Sequence, residues 1–248
     1  MRITTVTNQK GGVGKTTTAH ALATGLVKIG KRVLTIDLDP QSNLSFTYNA
    51  NMDKPGIYEA FKGNRTAKHI IQHTAQGDII TSNLDLAGAD MEFTQPGREY
   101  LLKEILEPVK DNYDFIVIDT PPTLGILTIN ALTTSNDVII PMGADIYSLQ
   151  GLGQLYNTIE NVKKYCNKDL TIKGLLLTKY NARTVLSKDL KDTIESKAQE
   201  INSKLFKTVI REGIAIKEAQ TLQDNIFNTA PTSKPAADYE AFIKEYLK

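Results

Sequence analysis

Short apolar runs alternate along this chain with stretches whose apolar residues recur at helical spacing. Ile3 to Thr7 has the length of a buried strand, and Ala19, Leu22, Ala23 and Leu26 follow on one helical stripe. That helix is expected from about Lys15 to Ile29, with Gly30 placed as a left-handed cap. Val33 to Asp39 is a near-continuous apolar run ending in acids, which suits a strand covered on both faces by helices. Further strands are expected at 77–82, 113–119, 137–141, 172–178 and 204–210. Helices are expected at 57–61, at 99–107 before Pro108, from Leu149 onward and at 236–247. The weakest pattern lies between Asn49 and Thr94. Strands alternating with helices predict an α/β fold, a mainly parallel twisted sheet with helices on both faces. With no linker, repeat or low-complexity tract, one domain spanning 1–248 is the expectation.

Composition narrows this little. The net charge of +1 conceals an asymmetry: 13 Lys and Arg face 6 Asp and Glu between 161 and 217, a surplus of seven. A single cysteine, Cys166, rules out a disulfide framework, a cysteine-rich metal site and a cysteine-held iron–sulfur cluster. His69 and His73 stand four apart, as a metal pair or, more simply, as part of a solvated helix face. The chain enters its first strand without a leader-like stretch, and no apolar run reaches the ~18 residues of a membrane span. A cytoplasmic protein is expected.

The chemistry concentrates in Asn8-Gln9-Lys10-Gly11-Gly12-Val13-Gly14-Lys15-Thr16-Thr17, set between the first strand and the first helix. Strand, glycine loop and helix form the context of a phosphate-binding loop. Glycines let successive backbone N–H groups turn toward an anion, and the helix behind adds the positive end of its dipole. Lys15 would place its charge on the β- and γ-phosphates, and the Thr16 hydroxyl would ligate Mg²⁺. Val33–Asp39 and Tyr113–Asp119 each end in acid at the carboxyl end of a strand, where ligands of open α/β sheets lie. Asp119 closes an apolar strand in the manner of a Walker B acid and would hold a Mg²⁺-bound water opposite Thr16.

Gln9 stands where the general loop pattern has glycine, and a second lysine, Lys10, follows it. Lys10-Gly11-Gly12-Val13-Gly14-Lys15-Thr16-Thr17 resembles the deviant Walker A motif of the ParA/MinD superfamily of ATPases. Asp39-Pro40-Gln41 and Asp119-Thr120-Pro121-Pro122 resemble the entries to that family's switch I and switch II. The resemblance implies that ATP is the nucleotide, that Asp39 orients the attacking water beside the Mg²⁺, and that Lys10 acts in trans across an ATP-sandwich homodimer. Family adenine contacts fall partly in the segment equivalent to 207–212, where Arg211 stands in place of a frequent proline. The chain is most similar to the short, Soj-like ParA proteins. These bind double-stranded DNA without sequence preference, associate with the nucleoid and answer to a centromere-bound ParB-type partner. Arg183 matches a DNA-binding position of the family, and Lys217 is the candidate replacement for an absent arginine. Such phosphate contacts are sequence-blind and salt-sensitive.

The expected function is therefore ATP-dependent partition of plasmid or chromosomal DNA. One alternative is a MinD-like membrane-positioning ATPase, and another is ParA-like positioning of non-DNA cargo. The tail at 238–248 carries three acids against two lysines, which gives anionic lipid little to hold.

Overall fold

The computed structural model describes residues 1–181 and 185–248, so Arg183 lies outside the described residues. The chain opens with β1 (Arg2–Val6), α1 (Lys15–Lys28) and β2 (Val33–Asp37), followed by short helices α2 (Asn43–Thr47), α3 (Ile57–Phe61) and α4 (Ala67–Ile70). A hairpin of β3 (Ile71–Thr74) and β4 (Gly77–Ile80) precedes α5 (Ala89–Glu92), α6 (Leu101–Leu106) and β5 (Phe115–Asp119). Next come α7 (Ile126–Thr134), β6 (Asp137–Met142), α8 (Ile146–Tyr165), β7 (Thr171–Leu177) and α9 (Val185–Glu200). The last elements are α10 (Ile214–Thr221), α11 (Ile226–Thr229) and α12 (Lys234–Tyr246).

Seven strands form one sheet in the order β3-β4-β2-β5-β1-β6-β7, parallel except where β3 turns back along β4. β1, β2 and β5 sit in the middle and are almost wholly buried, which explains their unbroken apolar runs. Alternate residues feed opposite faces. Val6, Val117 and Ile139 pack under α1 and α12, together with Leu22, Leu26, Phe242 and Tyr246. Ile116 and Ile118 face α6 and α7, while Val138 and Ile140 face α8 and α9. The sequence order reverses between β1 and its neighbours β5 and β6, so the loops after β1 and β5 open into the crevice at the sheet's carboxyl edge.

Two expected elements change. The run 204–210 is not a ladder strand: beside β7 it makes scattered backbone hydrogen bonds, Phe206 N–H to the Leu175 carbonyl and Ile210 N–H to the Leu177 carbonyl, with an isolated bridge at Leu175–Leu205 and another just beyond both at Tyr180–Arg211. The offset between paired residues grows from 30 to 31 between those bridges, so the register slips and regular pairing cannot propagate. His69 and His73 do not share a helix, because α4 ends at Ile70 and His73 lies on β3. His73 meets Asp78 across the hairpin at 2.6 Å, and His69 meets the Thr66 hydroxyl at 2.9 Å. Alternation in Ile71–Thr74 was too short to separate from the helical turn before it.

Candidate nucleotide-binding site

The loop from Asn8 to Gly14 is held by its flanks. Asn8 donates its side-chain amide to the Pro141 carbonyl at 2.8 Å and accepts from the Lys10 N–H at 3.0 Å. Thr178, just past β7, donates to the Val13 carbonyl at 2.8 Å. Gly12 and Gly14 take φ of 73° and 79°, a left-handed conformation costly for other residues. Gly14 is the N-cap of α1 and contributes no side-chain bond, which leaves the amides of the first turn directed into the crevice. An anion there meets both N–H donors and the helix dipole.

The crevice encloses about 470 Å³ and runs from Gly11–Thr17 past Asp39 to Ile210, Arg211, Ile216, Lys217 and Gln220. Lys15 is buried, and its ammonium donates to the Lys10 carbonyl at 3.1 Å. Burial lowers its pKa, opposed by the charges of Asp119 and Asp39. Thr17 accepts a bond from Gln220 Nε2 at 3.2 Å, which joins α10 to the start of α1.

Beneath the loop, Asp37 and Asp119 are register partners on adjacent strands, and both are fully buried. Asp37 accepts from the Ser45 N–H, the Ser45 hydroxyl and the Asp39 N–H at 2.9, 2.8 and 3.0 Å. Burial nevertheless raises its pKa to about 6. Asp119 is pushed well above the usual carboxylate range, first by burial and then by Asp37. The Thr16 hydroxyl is near enough to favour its charged form, yet neither carboxylate oxygen has a hydrogen-bond partner. A buried acid with two unpartnered oxygens, next to a threonine hydroxyl and a second acid, suits a hard, hydrated dication such as Mg²⁺. Asp39, also buried, accepts from the Gln41 N–H at 3.0 Å in a tight turn that faces the crevice.

Lys10 lies apart from this set. Its ammonium contacts Asp145 Oδ1 at 2.6 Å and the Ser148 hydroxyl at 3.4 Å, at the N-terminus of α8. The Tyr147 ring centroid is 5.7 Å away. Arg211 stands on the crevice wall with its guanidinium in a forked pair on Asp238 at 2.6 and 2.8 Å. Lys217 is exposed on α10 where the crevice opens. The structure thus gathers Gly11–Thr17, Asp39 and Asp119 in one place, puts Arg211 and Lys217 on its rim, and turns Lys10 outward. Sequence reasoning placed Asn8 in the loop and Asp37 beside Asp39 at the ligand end of the strand without giving either a role, and it missed Asp145, Thr178 and Gln220. Nothing in the local sequence around those three marks them, because each meets the site from a distant segment.

These features recur in known proteins. The profile of the AAA domain matches residues 1–172. The chain is 42% identical to the sporulation initiation inhibitor protein Soj of Bacillus subtilis, over 98% of this chain and 97% of that protein. The chain belongs to the ParA/Soj family of P-loop ATPases. Among solved structures, a putative plasmid partition protein from Borrelia burgdorferi B31 bound to AMPPNP aligns with a TM-score of 0.85. Its identity is 28%, over 99% of this chain and 98% of that one. A cobyrinic acid a,c-diamide synthase from Mycobacterium smegmatis with bound ATP analog and magnesium aligns with a TM-score of 0.81. It is 33% identical over 98% of this chain and 93% of that one. As a ParA/Soj ATPase the chain is of the partition type, and the deviant Walker A resemblance and the mostly parallel sheet both hold.

Proposed function

We propose that this ParA/Soj ATPase closes around ATP as a homodimer and then grips duplex DNA without sequence preference. Hydrolysis, stimulated by a ParB-type partner, releases it. The observation that carries this reading is the direction of Lys10. Its ammonium contributes nothing to its own crevice and stands half-exposed against Asp145, next to the exposed Ile146 and Tyr147. A cation there can serve a nucleotide held by a second copy.

Within one subunit, the amides of Gly11, Gly12, Val13 and Gly14 and those opening α1 at Lys15, Thr16 and Thr17 cradle the phosphates. Lys15 opposes the charge that grows on the leaving group. Thr16, Asp39 and Asp119 are the residues that would hold Mg²⁺, which when bound neutralises charge on the β- and γ-phosphates. Asp39 orients the attacking water. Arg211 borders the base, and Lys217 and Arg183 contribute to DNA binding. All 248 residues act as one ATPase domain on the nucleoid.

Membrane attachment is disfavoured. No helix among the described residues is long and apolar enough to cross a membrane. The apolar face of α12 is already spent on the core through Tyr239, Phe242, Ile243 and Tyr246. A surface-lying amphipathic helix needs that face free.

The test is binding to random-sequence duplex DNA with ATP, with ADP and without nucleotide, across a salt series. Binding with ATP alone, falling steeply with salt, is the expected result. Equal binding in all three states, or none in any, would overturn the DNA reading.

A further inference from the structure

The segment from Ser82 to Asp90 is tied at one end to Asp39 in the loop leaving β2 and at the other to the first residue of α7, which follows the loop leaving β5, and neither tie involves the phosphate-binding loop. β4 runs beside β2, with Ile80 level with Ile36, so the residues leaving β4 emerge alongside Asp39. Ser82 is buried there and donates its hydroxyl to the Asp39 carbonyl at 2.6 Å. Its N–H donates to the Ser45 hydroxyl at 3.1 Å, and that hydroxyl donates to Asp37 Oδ2 at 2.8 Å. Since Asp37 also accepts the Asp39 N–H, both backbone groups of Asp39 are held by one buried ring of four residues.

The entrance to the segment is equally tight. The Ile57 N–H donates to the Thr81 carbonyl at 2.9 Å, and a Cβ on Gly56 would collide with that carbonyl. Leu86 and Ala89 are buried in the core and fasten the middle. At the far end, Asp90 Oδ1 accepts the Ile126 N–H at 2.6 Å. α7 begins at Ile126, and its own N-cap, Gly125, has no side chain to offer. A carboxylate from α5 therefore does the capping, a charge-assisted bond at the positive end of a helix. A Cβ at Gly125 would collide with that carboxylate. The residues 120–124 between Asp119 and this anchor form the loop that leaves β5.

We propose that the Ser82–Asp90 segment is a strap that sets the two loops relative to one another, with Ser82 and Asp90 as positioning residues for hydrolysis. Ser82 acts through the backbone of Asp39, and Asp90 through the start of α7. This rests on the reading of Asp39 as the residue that orients the attacking water. Misplacing such a group by a fraction of an ångström slows the chemical step and leaves ATP binding intact, since the cradle belongs to the loop before α1.

The experiment measures kcat for ATP and ATP affinity in S82A, S82T, D90A, D90N and D39A. S82A is expected to lose about tenfold in kcat with affinity within about twofold, and S82T, which keeps the hydroxyl, to recover most of the loss. D90A is expected to lose kcat by about threefold, and D90N, which keeps an acceptor for the Ile126 N–H, to recover it. Unchanged kcat in S82A and D90A, or losses matched by equal losses in affinity, would overturn the strap. If D39A turns over normally the reading of Asp39 fails instead. If D39A is inactive while S82A and D90A are normal, the strap alone fails. Should S82A not fold, S82C keeps the volume without a strong hydroxyl donor and decides the same question.

Discussion

The two ends of the phosphate-binding loop carry the same side chain in opposite situations. Lys15 is buried at the start of α1, directed at the Lys10 carbonyl and flanked by the charges of Asp119 and Asp39. Lys10, five residues earlier, stands half-exposed in an ion pair with Asp145 at the end of α8. Burial makes the charge of Lys15 expensive until a polyanion joins it, so that end is built to bind. The charge of Lys10 is already matched by a partly hydrated carboxylate, a contact of modest strength that a better anion can displace. One loop thus offers a committed cation and a reserved one.

Truncating each lysine should break the comparison most sharply. K15A is expected to lose at least about 100-fold in ATP affinity or turnover, because a charge next to developing negative charge is removed. K10A should keep monomeric ATP binding within about threefold while losing the ATP-dependent dimer, read by nucleotide titration and sedimentation. Equal losses of nucleotide binding in both variants would mean that the two lysines do one job.

Helix α1, which Lys15 opens, carries a buried group that makes the fold sensitive to acid. His20 sits on α1 just over one turn beyond Lys15, fully buried, bonded to Gln76 at 2.8 Å and edge-on to Tyr48. Burial drives its pKa down to about 4 from an ordinary 6.5. The unfolded chain therefore takes up the proton first, and stability is lost as pH falls from about 6.5 toward 4. The total loss is about 3 kcal/mol, at 1.36 kcal/mol per unit. The raised carboxyl of Asp37 acts in the opposite sense over the same range in both proteins, so the check is the difference between wild type and H20Q in urea unfolding: wild-type stability relative to the variant should fall by about 3 kcal/mol as pH falls through that range. A difference that does not change with pH would assign the acid response to other groups.

The smallest effect belongs to the Lys10 end. D145N keeps an acceptor for the Ser148 N–H that caps α8 but removes the charge that holds Lys10. ATP-dependent dimerisation should strengthen by about two- to fivefold, in line with a partly exposed ion pair. A weaker dimer would show that Asp145 supports the assembly instead of competing with it.

Much of this site was legible because its signals are local. Gly12 and Gly14 had to be glycines for their positive φ, Lys15 and Thr16 follow them directly, and Asp39 and Asp119 each end an apolar run. Reading failed where spacing stopped carrying information. Between Asn49 and Thr94 the helices span four or five residues, too short to show a period, and the β3–β4 hairpin was read as one strand and a helix face. The run 204–210 has the composition of a strand, but pairing depends on register with β7, and register is not written in either segment alone.

The chain by itself determined the α/β class and the identity of the phosphate-binding loop, because each follows from patterns within short stretches. Only the tertiary structure decided that Asp37 and Asp119 stand side by side, that Lys10 is taken up by Asp145, that Ser82 reaches Asp39, and that Asp90 caps α7. Lys10 and Asp145 are 135 positions apart, and Ser82 and Asp39 are separated by 43. Partners so distant meet because strands β1, β2, β4, β5 and β6 line up in one sheet. That alignment is a property of the packed core and is absent from any single stretch of sequence.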